Sequence, residues 1–154
     1  MDDVPAVGRT GGDASPIRVV LADDHELIRR SMREVLDGEE GIDVVGEADE
    51  VESTVRSVRI HKPHVLVCDL RMPSLSNLAT MQLVRERVAR TKIVLATMEL
   101  NPAFAQLALA AGATGFVSKD LADSELAPAV RAAATGERYV SPRVTRRLGS
   151  RPSA

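Results

Sequence analysis

The stretch Val65-Leu66-Val67-Cys68-Asp69, followed by Leu70-Arg71-Met72-Pro73, decides the fold of this 154-residue chain. Four apolar residues in succession, two of them β-branched, are the pattern of a strand buried on both faces. The run ends in a carboxylate, and Pro73 stops the ladder because proline has no N–H to donate. Side chains at such a strand end meet the crevice where open parallel sheets place their chemistry. Asp69 is therefore a candidate functional group. A strand-ending Asp also starts ordinary turns, so its meaning depends on what the rest of the chain brings to the same rim.

Upstream, Ile17 to Ala22 (IRVVLA) reads as a first strand followed by Asp23-Asp24-His25. A helix from about Glu26 to Leu36 carries Ile28, Met32, Val35 and Leu36 at helical spacing. Ile42 to Val45 is a second strand, and Val51, Val55 and Val58 mark a helix reaching about Ile60. Downstream of Pro73, a helix is expected from Asn77 to Val88, with Met81, Val84 and Val88 inward. Lys92 to Ala96 (KIVLA) is a fourth strand ending at Thr97. A helix opened by Asn101-Pro102, a capping residue and a first-turn proline, places Phe104, Leu107, Ala108 and Ala111 on one face. Gly115 to Ser118 (GFVS) is a fifth strand ending at Lys119, and a helix from Asp123 to Thr135 follows.

Strands alternating with helices predict an α/β fold, a doubly wound parallel sheet with helices on both faces. Right-handed crossovers and short loops favour the flavodoxin-like five-stranded order 2-1-3-4-5. Residues 1–16, rich in Gly and Pro with little to bury, read as a disordered lead. Hydrophobic residues make up 44 % and charged residues 27 %, the balance of a globular protein with a core of its own. A net charge of -2 gives no global attraction to nucleic acid. The single Cys68 excludes an internal disulfide and reads as a buried filler. No apolar run approaches the ~20 residues of a membrane span, so a cytoplasmic protein is expected.

In the predicted strand order, Asp23, Asp24 and Asp69 share one rim with Thr97 and Lys119. Crowded carboxylates repel and call for a cation. Mg²⁺ suits one or two carboxylates with water and phosphate. The ammonium can pair with phosphoryl oxygens and the hydroxyl can donate to them. A carboxylate nucleophile with these neighbours is equipped for phosphoryl transfer onto aspartate. The plainer alternative is a rim salt bridge between Lys119 and the acids.

With VVLADDHELIRR, VLVCDLRMP, IVLAT and GATGFVSKD in place, the chain resembles the receiver domain of two-component response regulators of the NarL/FixJ type. The likeness runs from about Ile17 to Leu148. It implies Asp69 as phosphoacceptor, and Asp24 and Asp23 as Mg²⁺ ligands, the latter often through water. The Arg71 backbone carbonyl completes the protein ligands. Thr97 is implied as the switch hydroxyl, Lys119 as the phosphate-pairing lysine and Phe116 as the switch aromatic. Arg71, Met98 and Glu99 would flank the site entrance, where Arg71 and Glu99 can pair and shield the acyl phosphate. The resemblance further implies a sensor histidine kinase as partner, homodimers, and transcriptional output, with no enzymatic activity beyond assisting its own phosphotransfer and dephosphorylation.

Two departures stand out. Asn77 replaces a usual glycine, and His64 stands where the family usually has aspartate and reads as structural. Residues 17–135 are expected to form the receiver, and 136–154 a linker-like segment with a short helix and a basic tail. That segment holds Arg138, Arg143, Arg146, Arg147 and Arg151 but no acid after Glu137. It is too short for a helix-turn-helix, so DNA binding is not expected of this chain alone. Two other readings compete: a receiver fold used as a binding module without phosphorylation, and an aspartyl-phosphate phosphatase. Haloacid-dehalogenase-type phosphatases carry a second aspartate two residues after the nucleophile, where this chain has Arg71.

Overall fold

The computed structural model describes residues 15–69, 77–98 and 102–149. Six strands form one all-parallel sheet in the order β2-β1-β3-β4-β5-β6. They are β1 (Ile17–Asp23), β2 (Ile42–Ala48), β3 (Val65–Asp69), β4 (Lys92–Thr97), β5 (Gly115–Ser118) and β6 (Tyr139–Val140). The helices are α1 (Glu26–Asp37), α2 (Val51–His61), α3 (Asn77–Arg87), α4 (Pro102–Ala110), α5 (Ala122–Ala134) and α6 (Pro142–Gly149).

Every residue of β3 is buried, as its unbroken apolar run predicts for a strand covered on both sides. Alternate residues feed two cores. Val20, Ala22, Leu66, Cys68, Ile93, Leu95 and Phe116 face α2, α3, α4 and α6, which contribute Val58, Met81, Val84, Ala105, Ala108 and Val144. Val19, Leu21, Val65, Val67, Val94, Ala96 and Val117 face α1 and α5 through Met32, Leu36, Leu126, Ala129 and Val130. Each Val, Leu, Ile, Met or Phe among them contributes about 1.5–3 kcal/mol on burial, and each Ala about 1 kcal/mol or less. A one-residue slip of a strand would exchange the two faces, so patterning and packing fix the register together. That register places Asp23 opposite Asp69 and Thr97 opposite Ser118.

The doubly wound parallel architecture is as expected, but the five-stranded order 2-1-3-4-5 needs correcting. A sixth strand pairs with β5, Gly115 opposite Tyr139 and Phe116 opposite Val140. Two residues carry no readable period, and the strand exists only because β5 offers an edge. α4 also differs from expectation: Ala105 and Ala108 are its buried positions, while Leu107 is 59 % exposed. Residues 1–14 of the expected lead lie outside the described residues.

Loop closures sit at the end of the sheet away from the site. Gly41 takes φ +84°, a region that favours glycine, and its carbonyl accepts from Ile17 N at 2.8 Å. His64 uses Nδ1 to accept from Arg18 N at 2.9 Å. Its own N–H donates to the Arg18 carbonyl. The imidazole thus extends the β1–β3 ladder by one rung, a structural role.

Candidate functional site

Three chain segments meet at the C-terminal ends of β1, β3 and β5. Asp23 and Asp69 are the last residues of β1 and β3, with relative exposures of 0 % and 2 %. Lys119 follows β5 in a single 3-10 turn, Lys119–Leu121. Its Nζ lies 2.5 Å from Asp23 Oδ2 and 2.6 Å from Asp69 Oδ2. A buried carboxylate pair without a cation would be costly, and the forked ammonium offsets that cost. The rim salt bridge is therefore real, and it does not exclude phosphoryl chemistry, because the same ammonium can shift toward phosphoryl oxygens.

Asp23 is held from three sides. Its Oδ1 accepts from His25 N at 2.8 Å, its Oδ2 faces Lys119, and its backbone carbonyl accepts from Arg29 Nη1 at 2.6 Å. Asp24 is half-buried, with His25 Nδ1 3.4 Å from its Oδ1. Ligand atoms of Asp23, Asp24 and His25 lie within 4.8 Å of one another. Thr97, at the tip of β4, is 5 % exposed, and Met98 beside it is 45 % exposed.

Phe116 stands apart from the carboxylates. It is fully buried beneath α4, its ring centroid 6.0 Å from that of Phe104 at an interplanar angle of 64°. The structure thus brings Asp23, Asp69 and Lys119 into direct contact, with Asp24 adjacent to Asp23. Thr97 ends the strand next to β3, and Phe116 lies in the core of the neighbouring strand. Arg71 and Glu99, expected at the entrance, lie outside the described residues, as does the Asn77 side chain.

His25 and Arg29, which hold Asp23 through its carboxylate and its carbonyl, were missed by sequence reasoning. Arg29 also bonds Glu47 Oε1 at 2.8 Å, and Arg33 pairs with the same carboxylate. Burial alone would push Glu47 up, but hydrogen bonds from Arg33 and Arg29, and then their charges, hold it below the usual carboxylate value. Its folded pKa is therefore below its unfolded one. The resulting stabilisation is complete above the ordinary value of 4.5 and is lost as pH falls through the folded value. For so solvated a network it is worth less than about 1 kcal/mol. Urea melts of Glu47→Gln are expected to lie below the parent at neutral pH and to converge with it in acid.

The response regulator receiver domain family matches residues 19–131. This chain belongs to that family. The receiver is 35 % identical over 133 residues to the response regulator GacA of Pseudomonas viridiflava, covering 86 % of this chain and 62 % of that protein. A two-component response regulator of the LuxR family from Aurantimonas sp. SI85-9A1 superposes with a TM-score of 0.82 at 31 % identity. The match covers 88 % of this chain and 96 % of that one. The isolated receiver domain of RcsB from Salmonella enterica serovar Typhimurium, in the presence of the phosphomimetic BeF₃⁻, is similar at TM-score 0.78 and 27 % identity. There the coverage is 86 % and 98 %. The receiver spans about three fifths of the length of the curated relatives it matches. Among the described residues, no helix is long and apolar enough to cross a membrane.

Proposed function

We propose that the chain accepts a phosphoryl group on Asp69, with Mg²⁺, and thereby switches the surface it offers to partners. The observation that carries this reading is the fork of Lys119 between Asp23 and Asp69, at 2.5 and 2.6 Å in a buried rim. An Asp69 oxygen forms the bond to phosphorus as the bond from phosphorus to the donor breaks, and the leaving group keeps that electron pair. The donor atom is a histidine nitrogen of a sensor kinase or an oxygen of a small acyl phosphate. Lys119 moves from carboxylate to phosphoryl oxygen, and the Thr97 hydroxyl donates to another.

The described donors fit a hard divalent cation: Asp23 and Asp24 with clustered oxygens and Asp69 in register beside Asp23; the Arg71 carbonyl, implied by the family resemblance, lies outside the described residues. When bound, Mg²⁺ would offset negative charge on the phosphoryl oxygens. Arg29 supports this ligand set by fixing the Asp23 main chain. Arg29→Ala is expected to weaken Mg²⁺ binding by about tenfold, read from a Mg²⁺ titration.

Phe116 and Thr97 are the proposed switch, and Arg71, Met98 and Glu99 the proposed entrance. Residues 17–135 act as the receiver unit and 136–154 as a linker-like segment. The chain's partners are a histidine kinase and a second copy of itself, and its output is transcriptional, within the cytoplasm. Incubation with acetyl phosphate and Mg²⁺ followed by mass spectrometry tests the central claim. A Mg²⁺-dependent phosphoryl adduct on Asp69 is expected. An unlabelled chain would favour a binding module that keeps only the fold, and continuous release of phosphate at substrate-limited rates would favour a phosphatase.

A further inference from the structure

Glu125 is a buried carboxylate that this phosphoryl chemistry does not use. It lies in the first turn of α5, 4 % exposed. An acid there is favoured by the helix dipole, but dipole stabilisation does not require burial, and burial without hydrogen bonds is costly. Its two oxygens add a side-chain link between the end of β5 and the start of α6, beside the backbone ladder that pairs β5 with β6. Oε1 accepts from Ser118 N at 3.3 Å, and Ser118 immediately precedes Lys119. Oε2 accepts from Ser141 Oγ at 3.0 Å, and Ser141, fully buried, opens α6. The Ser141 carbonyl accepts from Thr145 N at 3.0 Å, and Ser141 N donates to the Phe116 carbonyl at 2.7 Å.

The far end of this connection is seated in the core. Val144 of α6 is fully buried in the apolar cluster that contains Phe116, Ala105 and Ala108, and α6 rests against α4. One carboxylate therefore ties the peptide that carries Lys119 to the first turn of α6, while Val144 shares its cluster with the β5 aromatic. A displacement of Lys119 draws on the Ser118 N–H, and the Glu125 carboxylate is shared with Ser141. Small shifts of this kind become discrete rearrangements where packed elements have two arrangements.

We propose that Glu125 is a positioning residue that couples the Lys119 turn to α6, so that the β6–α6 segment is the part of the chain that moves when Lys119 changes partner. This rests on the phosphoacceptor reading of the site. Hydrogen exchange of the Ser141 and Thr145 amides, followed with and without beryllium fluoride plus Mg²⁺ as a phosphoryl stand-in, tests it. Bound fluoride is monitored separately by ¹⁹F NMR.

In the parent, exchange at these amides is expected to change by about fivefold or more on fluoride binding, the usual size of a coupling between sites. In Glu125→Ala the fluoride signal should persist while the response at α6 disappears. Glu125→Gln, which keeps an acceptor for Ser118 N and a polar group for Ser141, should restore most of it. Ser141→Ala cuts only the α6 end and serves if Glu125→Ala does not fold. By reciprocity, fluoride should bind Ser141→Ala with altered affinity. A parent-sized response at α6 in both Glu125→Ala and Ser141→Ala, at equal fluoride occupancy, would overturn the coupling. So would a silent α6 in a fluoride-loaded parent. Absence of any bound fluoride in the parent would instead sink the phosphoacceptor reading and this inference with it.

Discussion

Asp69→Asn is expected to abolish labelling by acetyl phosphate while leaving a folded protein. The carboxylate lies at the end of a fully buried strand, with one oxygen 2.6 Å from the Lys119 ammonium. An amide of the same shape keeps the packing and can still offer its carbonyl oxygen to Lys119. It has no anionic oxygen to attack phosphorus. Lys119 also retains its 2.5 Å contact to Asp23, so no buried charge is stranded, and the stability change should be within about 1 kcal/mol. Mass spectrometry after incubation with acetyl phosphate and Mg²⁺, paired with a urea melt, separates the two effects. Parent-level labelling of a folded Asp69→Asn would place the phosphoacceptor elsewhere.

Lys119→Met should behave in the opposite way, losing stability more than shape. Methionine fills most of the volume of the lysine stem, but Asp23 and Asp69 would then face each other at 0 % and 2 % exposure without the ammonium. Removing one partner from a buried ionic group costs about 3–5 kcal/mol, because the remaining charges are left uncompensated. A divalent cation held by the same acids would replace the missing charge. Mg²⁺ at a hundred times its dissociation constant adds about 2.7 kcal/mol to the folded state. Urea melts with and without Mg²⁺ are therefore expected to show a large deficit without the ion and a much smaller one with it. Mg²⁺ should also stabilise the variant more than the parent, whose own lysine competes for the acids. Equal deficits in the two conditions would mean that Lys119 and the metal do not share one site.

The two variants examine different parts of one arrangement. Asp69→Asn removes the reacting atom and keeps the charge balance nearly closed. Lys119→Met keeps the reacting atom and opens the balance. Failure of labelling in the first alone therefore speaks to chemistry, whereas failure in the second must be read against its stability.

Much of this molecule was legible in local sequence. The run Val65 to Cys68 predicted a two-face-buried strand, because an unbroken apolar stretch closed by Asp69 and Pro73 has few other structures available. Alternation of such strands with helical stripes predicted a doubly wound parallel sheet. That topology in turn put Asp23, Asp69, Thr97 and Lys119 at strand ends on one rim. These inferences use information within a few residues of each position, and the handedness and crossover rules carry it across the sheet.

Only the tertiary structure decided the rest. The fork of Lys119 between Asp23 and Asp69 depends on the register of three strands far apart in the chain. Leu107 shares helical spacing with Phe104 and Ala108, yet it faces outward because the helix is rotated to seat Ala105 and Ala108 on the sheet. Tyr139–Val140 became a strand because β5 presented an unpaired edge, not through any pattern of its own. Glu125 resembles any acid in a first helical turn until Ser118 and Ser141 arrive from either side to bury and bond it. Periodicity fixes which face of an element is apolar; which partner that face meets is settled by contacts distant in sequence, and there the local pattern carries no information.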